Sequence, residues 1–326
     1  MRLQAVGATD RGRVREHNED VILLREDLQL FIVCDGAGGH DAGDVAARLA
    51  AQTVSNHLAA TAAHRTRQPP FDRFGIATAA RDLARSVHEA NSTVHAAAQE
   101  LAGQRGMGTT IVAALFTPST GQLHVAHVGD SRLYRMRNGH LEQLTRDHSL
   151  LNDVLEERPE VDEAVLARLP RNVVTRALGM TAKTRPAIAS HDVALGDRYL
   201  LCTDGLGGYV PSQTIGACLA DPRPAGAVVQ LLLNAADDAG GKDNVGIVVV
   251  ECLDAISSEE RNRQRLEAEQ LAAATRASQS SAPELLLIGI EELDVFKTVE
   301  ALTRSKRPTD DDQALLEGTA TEHDDE

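Results

Sequence analysis

Short apolar runs rich in β-branched residues recur along the chain at Val21–Leu24, Leu30–Cys34, Thr109–Leu115, Leu123–Val128, Tyr199–Thr203 and Val245–Glu251. Four to eight such residues bounded by turn formers predict strands. Between the second and third runs the period changes to helical. Ala46, Leu49, Ala50, Thr53 and His57 share one face, and Ile76, Ala80, Leu83, Val87, Val94, Ala98 and Leu101 share another. Two helices are therefore predicted, parted by a polar loop at "HRTRQPP", residues 64–70. Hairpin-like joins such as "TPSTGQ" and "RNGH" imply antiparallel neighbours, because a doubly wound parallel sheet needs a helix between nearly every strand pair. The expectation is an antiparallel α+β layering. A charged helical insert at about 147–172 interrupts it and predicts a surface flap.

The character changes after Glu251. A helix-prone, charged stretch runs into the linker "SQSSAP", then a compact apolar block, then an acidic end. We expect a domain over residues 1–253 and a helical, acidic, partly disordered extension over 254–326. Leu285–Val295 in that extension has two open uses, docking a protein partner or packing back on the core. Thr309, ahead of three Asp residues, reads as part of an acidic tail.

The formal charge is −15, and residues 308–326 hold eight carboxylates with no Lys or Arg. About half of the excess is thus a property of the tail. This balance, with no Trp and few aromatic rings, predicts neither a nucleic-acid partner nor a membrane surface. No segment has the length of uncharged apolar chain that a membrane helix needs. The four cysteines are widely spaced with no CxxC and no secretory leader before them, so a reduced, cytoplasmic setting is expected.

Candidate chemistry lies where apolar runs meet carboxylates. Asp35 follows Leu30–Cys34 and precedes three glycines in four residues; Asp130 follows "LHVAHVG", Asp204 follows "RYLLCT", and Asp243 precedes "NVGIVVV". Any one alone is more often a turn former than a ligand. Four in this context suggest hard oxygen ligands for Mg²⁺ or Mn²⁺. Glycine after Asp35 would admit a close backbone approach and unusual torsions, so that a carbonyl could join the site.

Seven motifs in order, "GRVREHNED" (12–20), "DGAGGH" (35–40), "GMGTT" (106–110), "GDSRLY" (129–134), "RNVVTRALG" (171–179), "LLCTDGL" (200–206) and "KDNVGIVVV" (242–250), resemble the metal-dependent protein phosphatases. These are the PPM, or type 2C, serine/threonine phosphatases, and the likeness is to their bacterial branch over residues 3–252. The resemblance implies a four-layer α-β-β-α sandwich of two antiparallel sheets flanked by helix pairs, with metals in a cleft at the sheet edge. It implies hydrolysis of phosphoserine and phosphothreonine by a hydroxide bridging two Mn²⁺ or Mg²⁺ ions, with a third, weaker site in bacterial members. Its implied partners are phosphorylated proteins and the Ser/Thr kinases it opposes.

By the same resemblance Asp35 bridges the two ions, Gly36 lends its carbonyl, and Asp204 and Asp243 complete the first ion's shell. Asp130 and Asp204 match the third site, to which Asn172 in the flap is a candidate contributor or else a helix cap. Glu19 and Asp20 match a pair that holds metal-bound waters, and Arg15 matches the phosphate-binding arginine, whose planar fork suits two phosphoryl oxygens. Arg11 and Arg13 read as surface charges. The chain departs from one pattern: Ala37 stands where many eukaryotic members carry a His proposed to protonate the leaving alcohol, leaving water or His40 for that task. Cys34, Cys202 and Ser131 are assigned no chemistry. A binding module without turnover is the alternative, but it would be expected to lose one of Asp35, Asp204 or Asp243. A partner-switching phosphatase would share the chemistry and usually carry a sensor domain.

Overall fold

The computed structural model describes residues 1–38, 42–100, 106–166, 169–170 and 173–253. His40, Asn172 and the extension from residue 254 lie outside the described residues. The strands are β1 (Arg2–Asp10), β2 (Asp20–Arg25), β3 (Leu30–Ala37), β4 (Gly108–Thr109), β5 (Ile111–Thr117), β6 (Gln122–Val128), β7 (Arg132–Arg137), β8 (His140–Gln143), β9 (Ala187–Asp192), β10 (Arg198–Cys202) and β11 (Val245–Leu253). The helices are α1 (Ala42–Arg65), α2 (Thr78–Glu100), α3 (Leu150–Glu157), α4 (Glu163–Leu166), α5 (Asp204–Gly207), α6 (Ser212–Ala220) and α7 (Ala225–Asp238).

Two antiparallel sheets result, one ordered β1-β11-β10-β7-β8 and the other β2-β3-β5-β6-β9, with β4 added against β3. The alternation along β3 explains the layering. Leu30, Ile32 and Cys34 face α1 and α2, whereas Phe31 and Val33 face the other sheet and meet Leu201, Val248 and Val250. On that second sheet, Leu200, Cys202, Ile247 and Val249 turn outward to α6 and α7. The four-layer sandwich expected from the sequence is therefore present, and strands buried on both faces account for the unbroken apolar runs. Few rings are available, and Phe31, Phe116 and Tyr199 stack edge to face between the sheets with centroids 5.8 and 5.3 Å apart.

Several boundaries differ from the expectation. Asp35 lies inside β3, in register with Asp20 of β2, rather than just beyond a strand end. The strands β1, β7, β8 and β9 carry no unbroken apolar run. The edge strands β1 and β9 have no buried residue, so the strand signal there is diluted by polar positions. Ile76 lies ahead of α2 and is 52% exposed, outside the apolar face assigned to it. The insert beginning at Asp147 does hold helices α3 and α4, the first capped by the Ser149 side chain, which accepts the Asn152 N–H. No described helix is long and apolar enough to cross a membrane.

Candidate metal centre

The β1–β2 loop, the start of β2, the end of β3, the β6–β7 turn, the start of α5 and the turn before β11 supply the site residues, and backbone approaches that only glycine permits hold several of these segments together. A Cβ on Gly36 would sit 2.2 Å from the Gly43 carbonyl oxygen at the start of α1 and 2.9 Å from the Glu19 carbonyl oxygen. Gly36 and Gly38 are not in the left-handed region. The torsional part of the glycine expectation is thus corrected at both positions, since close approach alone requires the missing side chain. Gly205, next to Asp204, has the same role, with a Cβ there falling 1.8 Å from the Asn244 carbonyl oxygen. That approach draws Asp204 and Asp243 to one place across 39 residues of chain.

Polar side chains fix the remaining geometry. Asn244 donates to the carbonyls of Arg11 and His17, both at 2.9 Å, and accepts the Glu19 N–H at 2.9 Å, which ties the Arg15 loop to Asp243. Thr203 donates to Asp20 Oδ2 at 2.8 Å and accepts the Gly246 N–H, joining β2 to the second sheet beneath Asp204. The Thr110 hydroxyl accepts the Asp35 N–H at 3.0 Å and meets the Ser131 hydroxyl at 2.6 Å. Asn244, Thr203 and Thr110 had no assigned role in the sequence. Their only signal was their place inside recognised motifs.

All eight residues singled out from the sequence, Arg15, Glu19, Asp20, Asp35, Gly36, Asp130, Asp204 and Asp243, lie on these segments. Arg15 donates to Asp243 Oδ2 at 2.8 Å, with its side chain 52% exposed at the rim. Glu19 lies against Gly43, where a Cβ would come within 2.6 Å of its carboxylate. Asp35 and Asp204 lie close enough that the charge of Asp204 acts on the Asp35 carboxyl. Burial, followed by the charges of Asp20, Asp204 and Asp130, pushes Asp35 well above the usual carboxylate range. Burial does the same to Asp20, and it raises Asp204 with help from Asp243. Asp130 is pushed up to about 6, first by burial and then by Asp204 and Asp147. Such shifts mark negative charge crowded without enough positive charge to balance it.

These residues fit hard cations on two observations. The donors are carboxylate oxygens, the chemistry of Mg²⁺ or Mn²⁺. Asp20 Oδ1 is buried with no hydrogen-bond partner, a costly arrangement unless an ion or its water engages it. Among the described residues no three His, Cys, Asp or Glu side chains are grouped so that they could hold a metal ion by themselves. An ion here would therefore need oxygen from backbone or water besides the carboxylates.

Other candidates separate cleanly. Cys34 and Cys202 are buried, and burial pushes the Cys34 thiol up strongly and the Cys202 thiol up to about 12, so neither supplies a thiolate. Ser131 is buried with its hydroxyl engaged by Thr110, and no histidine among the described residues bonds to it. Ala37 is exposed at the end of β3 and offers no proton.

Comparison with known proteins agrees with this geometry. The protein phosphatase 2C family model matches residues 10–246. The serine/threonine phosphatase Stp of Listeria monocytogenes is 35% identical over 246 residues, covering 74% of this chain and 93% of that protein. The crystal structure of the Mycobacterium tuberculosis serine/threonine phosphatase PstP/Ppp superposes with a TM-score of 0.66 at 32% identity, covering 78% of this chain and all of that one. The PstP catalytic domain in complex with two manganese ions gives 0.64 at 31% identity, covering 77% and 99%.

Proposed function

This chain belongs to the protein phosphatase 2C family and is a serine/threonine protein phosphatase, and we propose that it hydrolyses phosphoserine and phosphothreonine with two divalent cations held at Asp35. The observation that carries this reading is the buried, unpartnered Oδ1 of Asp20, which stands in register with Asp35 on the neighbouring strand. Asp35 and the Gly36 carbonyl, with Asp204 and Asp243, would hold the ions, and Asp130 with Asp204 would hold a third. Bound there, Mn²⁺ or Mg²⁺ would lower the pKa of water to supply hydroxide near neutral pH and neutralise charge on the phosphoryl oxygens.

The chain's own residues bind and orient. Arg15 has five N–H donors in a planar fork, so it can keep its bond to Asp243 and still present two donors to a phosphoryl group at the rim. Asn244 and the Gly241 carbonyl, which accepts the Arg13 N–H at 2.7 Å, hold the Arg15 loop at fixed height over the carboxylates. Asp20 and Glu19 would accept hydrogen bonds from water bound to the ions. With Ala37 on the rim, the departing alcohol takes its proton from water and not from β3.

The phosphatase domain in this reading is residues 1–253, consistent with Arg2 of the first strand pairing with Leu253 of the last. Its substrates are proteins phosphorylated by Ser/Thr kinases, whose signals it reverses. Four unpaired cysteines suit a cytoplasmic setting. The test is release of phosphate from a phosphothreonine peptide by the purified chain with Mn²⁺, with Mg²⁺ and with chelator, beside Asp204→Ala. Metal-dependent turnover that Asp204→Ala abolishes supports the reading; turnover in chelator, or an active Asp204→Ala, overturns it.

A further inference from the structure

The loop carrying Asp130 is only three residues long, between Val128 at the end of β6 and Arg132 at the start of β7. Both flanks of Asp130 are gripped by the segment that opens the flap. On one side, His148 Nδ1 accepts the Gly129 N–H at 3.1 Å, and the His148 N–H donates to the Gly129 carbonyl at 2.9 Å. Gly129 is in the left-handed region at φ 107°, so few other residues could occupy this turn. The His148 ring stacks on His127 with centroids 4.7 Å apart, and His127 Nε2 lies 2.9 Å from the Arg146 carbonyl oxygen.

On the other side, Arg132 Nε and Nη2 donate to Asp147 at 3.0 and 2.7 Å, while Nη1 reaches the Tyr134 hydroxyl at 3.1 Å and the Gly207 carbonyl. Gly207 ends the one-turn helix that Asp204 begins, and its carbonyl has no partner within that turn. One guanidinium thus joins the flap base to the helix of Asp204. The two flap stems are zipped together above this point. Thr175 N–H donates to the His148 carbonyl, Leu150 N–H donates to the Val173 carbonyl, and Ser149 bridges Val174.

We infer that Arg132, Asp147 and His148 are positioning residues through which the flap base sets the placement of Asp130 relative to Asp204, and so the affinity of the weakest cation site. The inference rests on the proposed reading of Asp130 and Asp204 as a shared ligand pair. Electrostatics and positioning predict opposite signs for Arg132. Removing a buried positive charge near carboxylates draws a cation in more strongly. Loss of the clamp lets the ligand pair drift and weakens binding, as substitutions of outer-shell partners do.

The experiment is calorimetric titration of the metal-free full chain with Mn²⁺, using wild type, Arg132→Gln, His148→Gln and Asp130→Asn. The weakest binding step weakens about tenfold or more in both Arg132→Gln and His148→Gln, and the tighter steps are unchanged. The Mn²⁺ concentration for half-maximal activity rises in parallel, and kcat recovers at saturating metal. A general loss of structure would lower kcat without this recovery. An unchanged or tighter weak step in both folded variants overturns the inference. Should Arg132→Gln fail to melt cooperatively, His148→Gln decides alone. If Asp130→Asn itself leaves every step unchanged, the ligand reading fails and takes the inference with it; if only Asp130→Asn loses the weak step, the inference alone fails.

Discussion

Replacing Gly36 by Ala tests why the chain thins to a bare backbone after Asp35. The added Cβ would lie 2.2 Å from the Gly43 carbonyl oxygen, and ordinary contact begins near 3.4 Å. The neighbours must therefore separate by about 1.2 Å, and both are backbone atoms of packed elements, β3 and α1. Overpacking of this kind costs about 1–3 kcal/mol, and for a domain of this size melting falls by about 2–4 °C per kcal/mol. A displacement near 1 Å at the reacting centre costs about 100-fold in rate, equal to about 2.7 kcal/mol of barrier. The assays are thermal melting in chelator and steady-state hydrolysis of a phosphothreonine peptide across a Mn²⁺ series. Gly226→Ala is the control: its Cβ enters open space within α7, and it should stabilise by about 0.5–1 kcal/mol. A Gly36→Ala protein with wild-type kcat/KM and Mn²⁺ dependence would refute the close-approach account.

Arg15→Ala should raise KM, lowering kcat/KM about tenfold through loss of charge-assisted phosphate contacts; unchanged KM and kcat would count against its role. Asp35→Asn should abolish turnover and yet raise the melting temperature in chelator, because it removes one of the crowded buried charges. A lower melting point or retained hydrolysis contradicts this. Asp130 titrates near pH 6 in the folded chain, above its unfolded value. The stability it contributes is complete below about pH 4 and lost as pH rises through about 6. In chelator, wild type should therefore lose more stability than Asp130→Asn between pH 4 and 7, and parallel slopes would refute the assignment.

What the sequence made legible follows from burial. β3, β5, β6 and β11 are covered on both faces, so their apolar runs announce them. β1 and β9 lie at sheet edges, and their mixed residues resemble loop. Asp35, Asp130, Asp204 and Asp243 were legible because each stands beside a strand run and next to a glycine or, for Asp243, an asparagine. Their convergence was not, since Asp35 and Asp204 meet across 169 positions through sheet packing that no local pattern encodes. The staples Asn244 and Thr203 were equally silent, because a polar side chain that satisfies distant backbone groups looks in sequence like any turn residue.

The most direct test of the central claim is anomalous diffraction from Mn²⁺-soaked crystals of the full chain. The account predicts two strong manganese peaks sharing the Asp35 carboxylate, one of them also bound by Asp204 and Asp243, with a weaker third at Asp130. A single ion, or ions bound away from Asp35, would contradict it.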